Sequence, residues 1–308
     1  MNRIRERLSE LRDKGRITPE QYDELMSTLE GSEPEPPAAP AAPEQPTVLQ
    51  TTTRKLTVRL ISEDLSVRGV EGLTAVRIIN GQSSVRTRQN GDVTEMESTL
   101  TGEELHGFSF HIGASGEDVE LEVPADMPCE LKTVSGDITL EDMRGLVSVH
   151  SVSGDIDGRS LDHIESATST SGDLDLERCI VEGDVVTKSG DIDVTDCTIR
   201  GMLKSYSGDV GAADTVLDDV DVLSFSGDVE LDRTTVRNGA RLKTTSGDIR
   251  ASLAQHDVVV DVDTRSGDAS IQGPGVDIQT SRQRIPVGAA TVELSARTGS
   301  GNIEIRLA

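Results

Sequence analysis

The chain of 308 residues contains no tryptophan, two tyrosines and three phenylalanines, so aromatic residues make up only 2% of it. A core without rings must be built from aliphatic side chains. Enzymes that cleave polysaccharides hold sugars in clefts lined by aromatic side chains. The composition therefore disfavours such a cleft.

Cationic residues are also scarce, and lysine is the rarest of them. The formal net charge is −25, and only six of the 30 basic residues are lysines. Such a chain repels nucleic acid and anionic lipid, so neither is an expected partner. An acidic, lysine-poor composition is typical of salt-loving microbes, in which salt screens the repulsion. A high-GC genome in an ordinary habitat gives the same arginine bias, so a halophilic origin is a hypothesis.

Long apolar runs and cysteine pairs are missing as well. No apolar stretch reaches the 18 residues of a membrane span, and none follows Met1-Asn2-Arg3 as in a signal peptide. We therefore expect a cytoplasmic protein. Three cysteines are too few for a disulfide framework, which agrees with that expectation.

What the chain does contain is a repeated tripeptide, Ser-Gly-Asp. Successive copies are 18 to 20 residues apart, and a variant, Ser300-Gly301-Asn302, follows near the end. The eight copies begin at Ser135, Ser153, Ser171, Ser189, Ser207, Ser226, Ser246 and Ser266. A fixed period of this length indicates stacked structural repeats.

The residues around the tripeptide alternate with a period of two. An apolar residue stands four before each Ser and a hydroxyl residue two before it, and apolar residues return three and five after it. This pattern predicts a strand, a bend at Ser-Gly-Asp and a second strand. We expect glycine to supply a positive φ and Asp to bond a nearby backbone N–H.

One coil of a parallel β-solenoid fits a unit of this length. Eight or nine coils would then stack about 4.8 Å apart. By analogy with most parallel solenoids of this coil length, we expect a right-handed one. Extra residues of the longer coils should fall opposite the bend. The stacked hydroxyls should bond along the stack. Cys179 and Cys197 share a column with Met143 and Leu161, which indicates core packing rather than a disulfide.

These repeats resemble a bacterial and archaeal family of β-strand-repeat proteins, some of them adhesin-like and some similar to regulators of cell-envelope stress. The resemblance covers roughly residues 60 to 308 and implies a shared scaffold rather than a shared chemistry. An adhesin-like role would place the protein at the cell surface, which is the alternative to the cytoplasm.

The chain before the repeats divides into three segments. Apolar residues at helical spacing and the capping box Thr18-Pro19-Glu20-Gln21 predict a helical hairpin over residues 1–30. It resembles short hairpins that mediate oligomerisation or protein contacts; a cap on the solenoid is the other interpretation. Residues 31–50 form a Pro/Ala-rich linker, 51–114 irregular first coils or a cap, and 115–308 the regular solenoid. The final strand is expected to leave an open edge, unless the insertion at 272–290 covers it.

The column of aspartates is the conspicuous polar feature. A repeated turn residue explains it; cation binding between coils is the functional alternative. An enzyme needs a paired acid and base or a metal in a cleft. His150, His163 and His256 have no partner at motif spacing, so we predict no catalytic, cofactor-binding or metal-binding residue.

The sequence therefore favours a non-catalytic scaffold or interaction protein, adhesin-like or related to envelope stress. Its hairpin, residues 1–30, would mediate binding to a protein partner or to a second copy. The alternative is a polysaccharide-active β-helix hydrolase or lyase. A deep groove lined by two or three carboxylates outside the repeat register would favour that enzyme.

Overall fold

The computed structural model describes residues 47–48, 54–99, 117–289 and 291–308. Contacts divide the chain into Met1–Glu44 and Gln45–Ala308, and the account below concerns the second unit. The predicted hairpin of residues 1–30 and most of the predicted linker lie outside the described residues. Within the described ranges every regular element is a β-strand.

The described residues form 27 strands, most of them four to nine residues long. In chain order they are β1 (Thr47–Val48), β2 (Lys55–Arg59), β3 (Leu65–Val70), β4 (Arg77–Asn80), β5 (Val85–Asn90), β6 (Val93–Ser98), β7 (Val119–Pro124), β8 (Cys129–Lys132), β9 (Ile138–Glu141), β10 (Leu146–His150), β11 (Ile156–Arg159), β12 (His163–Thr168), β13 (Leu174–Glu177), β14 (Ile180–Thr187), β15 (Ile192–Thr195), β16 (Thr198–Ser205), β17 (Val210–Ala213), β18 (Val216–Ser224), β19 (Val229–Val236), β20 (Ala240–Ser246), β21 (Ile249–Leu253), β22 (Val258–Ser266), β23 (Ala269–Gly273), β24 (Val276–Thr280), β25 (Arg282–Pro286), β26 (Val292–Ser300) and β27 (Ile303–Leu307).

The strands form a parallel β-solenoid, as the repeat predicts. The strand after each bend pairs in register with its equivalent one coil on, for example Ile156 with Leu174. These strands form sheet A. The strands before the bends pair in the same way, for example Val149 with Ala167, and form sheet B. The expected right-handed twist of the coil remains a prediction.

Inward-facing residues of both sheets make one aliphatic core. The column that contains Met143, Leu161, Cys179 and Cys197 is buried within it. Both cysteines are free thiols, so the prediction of core packing is confirmed. The third cysteine, Cys129, is also buried, and its burial raises the pKa of the thiol to about 12.

A second corner follows the sheet A strand in the six coils whose bends begin at Ser135 to Ser226. The residue seven after the bend serine takes a left-handed conformation there, with φ between 48° and 57°. These residues are Asp142, Ser160, Arg178, Asp196, Asp214 and Arg233. None of them is glycine, so the sequence pattern does not reveal this corner. The extra residues of the longer coils lie opposite the bend, as expected. One of them is at Asp219, where the pairing register between β16 and β18 shifts by one residue.

The order of coils at both ends differs from the chain order. The last coil, β26 and β27, lies between the β20–β21 coil and the β22–β23 coil. The first coil, β2 and β3, likewise lies between the β8–β9 coil and the β6–β7 coil. The prediction of an open edge at the final strand is therefore wrong, because β27 has a partner on each side.

Antiparallel strands cover the true ends of the stack. At the C-terminal end β24 pairs with β23 and β25 with β22, so the insertion at 272–290 is the cover. At the other end β5 pairs with β6 and β4 with β7. The stack thus has eleven parallel coils, from β6–β7 to β22–β23: the nine whose bends are Ser-Gly-Asp or Ser300-Gly301-Asn302, and two, β2–β3 and β6–β7, that precede them in the chain.

The bend of the inserted first coil departs from the repeat. Its sequence is Ser62-Glu63-Asp64, so a glutamate stands where the repeat has glycine. Glu63 is buried and accepts hydrogen bonds from Ser98 Oγ at 2.6 Å and from the Ile61 and Ser62 amides. Burial opposes ionisation, but these hydrogen bonds outweigh it and lower the pKa of Glu63.

Candidate interaction face

The bend edge, which consists of the Ser-Gly-Asp columns, carries a continuous ladder of hydrogen bonds. Each Asp accepts the backbone N–H of the Asp one coil on, as Asp155 accepts that of Asp173 at 2.8 Å. The ladder runs through Asp64, Asp137, Asp155, Asp173, Asp191, Asp209, Asp228, Asp248, Asn302 and Asp268. The turn interpretation assumes a bond within each bend. The aspartates bond instead from one coil to the next.

The bend needs glycine because the preceding coil leaves no room for a side chain, and not because the backbone takes a positive φ. A Cβ built on Gly172 would lie 2.1 Å from the carbonyl oxygen of Gly154 in the preceding coil. Gly172 and most other bend glycines have no positive φ. The hydroxyls two before the bend serines also bond to these glycines, as Thr187 Oγ1 donates to the Gly172 carbonyl at 3.1 Å. They therefore bond along the stack as expected, but to the backbone of the preceding coil and not to one another.

The outward side of sheet A, here the sheet A face, is acidic. Asp157, Asp175 and Asp193 lie side by side in adjacent coils. Burial, together with the neighbouring aspartates, raises the pKa of Asp175 and of Asp193. Within the described residues no group of three or more His, Cys, Asp or Glu is arranged to hold a metal ion. The face is thus an anionic surface without a preformed metal site.

The outward side of sheet B, here the sheet B face, has the opposite character. The six large hydrophobic residues that the described part of the chain exposes all lie on this side: Ile61, Val134, Leu146, Val152, Tyr206 and Phe225. Five of them immediately precede a bend serine and form one outward column. In a soluble protein such a concentration on one side indicates a binding surface.

Tyr206 and Phe225 form a stacked pair at the centre of this face. Their ring centroids are 5.1 Å apart and the planes differ by 2°. The two side chains are 40% and 46% exposed, and Lys204 Nζ lies 4.4 Å from the Tyr206 centroid. Bonding to Lys204 and its charge lower the pKa of the Tyr206 phenol. Exposed aromatic residues beside a cation are typical anchors of protein interfaces.

Lysines are concentrated on the same face. The five lysines of the described residues lie in sheet B strands or directly after one: Lys55, Lys132, Lys188, Lys204 and Lys243. Lys55 and Lys132 both bond Glu130, at 2.6 Å and 2.7 Å, and hold the pKa of that carboxyl at about 2. Among described residues, the other three have no carboxylate within ion-pair distance.

A shallow groove of about 420 Å³ lies at the N-terminal part of this face. Lys55, Glu130, Lys132 and Leu146 line it together with hydroxyl residues. His150 is in its wall and bonds Thr168 Oγ1 at 2.7 Å. The groove lies on the same sheet B face as the aromatic pair, and both polar and apolar side chains line it.

The other two histidines considered in the sequence lie apart from His150. His163 contacts Glu182 at 3.4 Å, and His256 contacts Asp257 at 3.7 Å. All three are exposed and sit in different coils. The structure therefore does not bring them together. The lysine and aromatic columns, which the sequence reasoning missed, were visible as outward positions of the repeat.

Comparison with known proteins supports the repeat architecture. Residues 180–306 match the family model described as Toastrack DUF4097. The matched region starts later than residue 60, where the repeat resemblance starts. No curated protein matches the sequence.

Two solved structures are similar over most of the chain. One is a Clostridium sporogenes protein whose name suggests cell adhesion, with 11% identity, 86% of this chain and 98% of that chain covered, and a TM-score of 0.20. The other is a Parabacteroides distasonis protein whose name suggests lipid binding, with 13% identity, 84% of this chain and 96% of that chain covered, and a TM-score of 0.41. Among the described residues, no helix is long and apolar enough to cross a membrane.

Proposed function

We propose that this protein is a non-catalytic interaction scaffold and that its sheet B face binds a protein partner. The observation that carries the proposal is that the two outward faces of the solenoid differ in their charged and exposed hydrophobic side chains. All described lysines and all large exposed hydrophobic residues lie on that face of a strongly acidic chain.

The chemistry of the face supports a protein as the partner. Flat exposed rings supply contact area at a low cost in side-chain entropy, and lysines beside them select acidic groups. The −25 charge of the chain acts against nucleic acid and anionic membranes. The helical hairpin at residues 1–30 would supply a second contact, with the linker separating the two. This arrangement can operate in the cytoplasm or at the cell surface.

Site-specific photo-crosslinking of the full chain tests the proposal. A benzophenone amino acid at Thr245, beside Phe225 in the outward column, should give discrete protein adducts in lysate from the source cells. The same group at Asp162, an exposed residue beside the second corner, is the matched control.

The adducts at Thr245 should disappear when Tyr206→Ala, Phe225→Ala and Lys204→Glu are combined. Circular dichroism and a thermal melt would show that this triple variant remains folded. Equal adduct patterns at Thr245 and Asp162, or adducts that survive the triple substitution, would refute a binding role for the face.

A further inference from the structure

Among the charges in the described residues that lack ion-pair partners are two groups that lie on different faces. Lys188, Lys204 and Lys243 are unpaired on the sheet B face, although the chain has 55 acidic residues and only 30 basic ones. Most described arginines do contact a carboxylate, as Arg241 contacts Asp221. Unpaired lysines in such an acidic chain suggest that their anionic partners come from another molecule.

The sheet A face carries the matching unpaired anions. Asp157, Asp175 and Asp193 contact no cationic side chain among the described residues, whereas the neighbouring Arg159 pairs with Glu141 and Glu177. Burial and the repulsion of neighbouring carboxylates raise the pKa of Asp175 and of Asp193, so ionisation of these side chains is disfavoured on this face. A cation placed over this column would relieve that repulsion.

The two sets of charges also share one spacing. Both faces belong to the same coils, so rows of residues on each of them are separated by the same inter-strand step of about 4.8 Å. Asp175 and Asp193 are register partners in adjacent coils, whereas Lys188 and Lys204 lie in adjacent coils but in two neighbouring outward columns, because Lys204 pairs with Val186. Two copies placed side by side can therefore oppose lysines and aspartates over several coils without a change in register.

We propose that the sheet B face of one copy binds the sheet A face of a second copy of this chain. The inference rests on the proposed function, since it names the partner of the sheet B face. Ten steps of about 4.8 Å and a strand width of about 16 Å give each face an area on the order of 800 Å². That area is what one partner contributes to an interface of standard size.

The stacked Tyr206 and Phe225 would be the apolar centre of this interface, and the lysines would form its charged surround. The contact joins two different faces, so a bound pair still presents one free sheet A face and one free sheet B face. Such a heterologous contact continues into longer assemblies unless it closes into a ring. Charge attraction supplies much of the binding, so salt should weaken it.

Sedimentation velocity of the full-length protein over a range of concentrations tests the proposal. At about 0.1 M salt the mean mass should rise with concentration, and at about 1 M salt it should fall toward the monomer. Lys188→Gln with Lys204→Gln neutralises the sheet B contact, and Asp175→Lys with Asp193→Lys reverses the charge of the sheet A contact. Because only one of the two faces is reversed, the two altered faces do not attract each other. Each double variant alone should remain a monomer, with a circular dichroism spectrum like that of the unmodified chain.

An equimolar mixture of the two double variants gives the decisive measurement. Each retains the face that the other has lost, so the mixture should form 1:1 dimers and nothing larger. A third variant, Leu11→Glu with Leu25→Glu in the predicted hairpin, tests the competing route through residues 1–30 and should associate normally.

Three results would overturn the inference: a monomer at all concentrations, association that the sheet B variant retains, or association that only the hairpin variant abolishes. Thr245 adducts with another protein would leave the proposed function intact in each case. Loss of those adducts as well would remove both.

Discussion

The bend edge and the sheet B face run along the same coils, yet their residues vary in different ways. The bend edge has Gly and Asp in almost every coil, whereas the outward column beside it contains Val134, Thr170, Lys188 and Tyr206 in turn. A position that tolerates so many side chains is not needed for folding. A position that keeps one residue type is constrained by backbone geometry.

Within one coil, the bend edge is therefore expected to determine stability and the sheet B face to determine binding. Substitutions at the bend edge should lower the free energy of unfolding, because each bend supports the next one. Substitutions on the sheet B face should change association and leave the fold in place. The five predictions that follow test this division.

The largest effect is expected from Gly172→Ala. The new methyl group would overlap the Gly154 carbonyl, which is backbone and cannot move without shifting a coil. Overpacking of this kind costs about 1–3 kcal/mol of unfolding free energy, measurable by urea denaturation.

Gly211→Ala is the matched control for Gly172→Ala. Its Cβ would meet only the Asp193 carboxylate, a flexible side-chain end, and its neighbours in the column carry full side chains. It should leave stability nearly unchanged. Equal losses in the two variants would mean that the bend edge is no more constrained than the sheet A face.

The next effect concerns the aspartate ladder. Asp191→Ala removes the acceptor of the Asp209 backbone N–H, a bond of 2.8 Å. The loss should be about 1 kcal/mol, because this exposed N–H can bond water instead. Asp191→Asn keeps a carbonyl acceptor, as Asn302 does naturally in the ladder, and should retain most of the stability. If Asn costs as much as Ala, the carboxylate charge and not the hydrogen bond is what the column needs.

Much of this architecture could be predicted from the sequence. The interval between Ser-Gly-Asp tripeptides fixed the coil length, and the alternation around them identified inward columns that are indeed buried, such as Val149 and Ile156. Local patterns sufficed because each coil pairs with a near-identical coil. The same argument identified Cys179 and Cys197 as core residues.

The order of the coils could not be predicted, for the same physical reason. Every coil presents equivalent columns, so β26 can pair with β20 and β22 as well as with any other sheet B strand. A period of two fixes which face a residue occupies but not which coil is its neighbour. The second corner was also hidden, because residues such as Arg178 and Arg233 rarely adopt a left-handed conformation.

The aromatic pair could have been found from the repeat. Tyr206 and Phe225 both immediately precede a bend serine, so stacking the coils places them side by side. The outward columns keep no residue type from coil to coil, so the period alone does not point to them. In a solenoid the residues that depart from the repeat are the ones that distinguish one member from another.

A smaller effect distinguishes the carboxylates of the two faces. The pKa of Asp193 is raised above its ordinary value of 3.8, so its ionisation destabilises the folded protein at pH 7. Asp193→Asn should therefore stabilise the protein by about 0.5 kcal/mol at most, since partial exposure screens the repulsion. The gain should vanish as the pH falls below 3.8, where both folded and unfolded chains are protonated.

Glu130 on the sheet B face should show the opposite sign. Its pKa is lowered to about 2 by Lys132 and Lys55, so its ionised form stabilises the fold above its ordinary pKa of 4.5. That contribution is lost as the pH falls toward 2. Glu130→Gln should thus lower stability slightly at pH 7 and make no difference near pH 2. Urea melts at several pH values measure both variants, and equal signs would contradict the contrast between the faces.

The smallest effect concerns Lys204 and should not appear in a stability measurement at all. Its ammonium lies over the Tyr206 ring and holds the pKa of that phenol below its ordinary value of 10. Lys204→Gln removes the charge, so the Tyr206 pKa should rise toward 10. The chain has only two tyrosines, so ultraviolet absorbance follows the titration, and Tyr22→Phe assigns the signal.

Lys243→Gln should leave the titration unchanged, because Tyr206 is affected by Lys204 and Lys188 and not by Lys243. An unchanged titration in Lys204→Gln would show that Lys204 does not sit over the ring, and the cationic aromatic centre of the sheet B face would be lost with it.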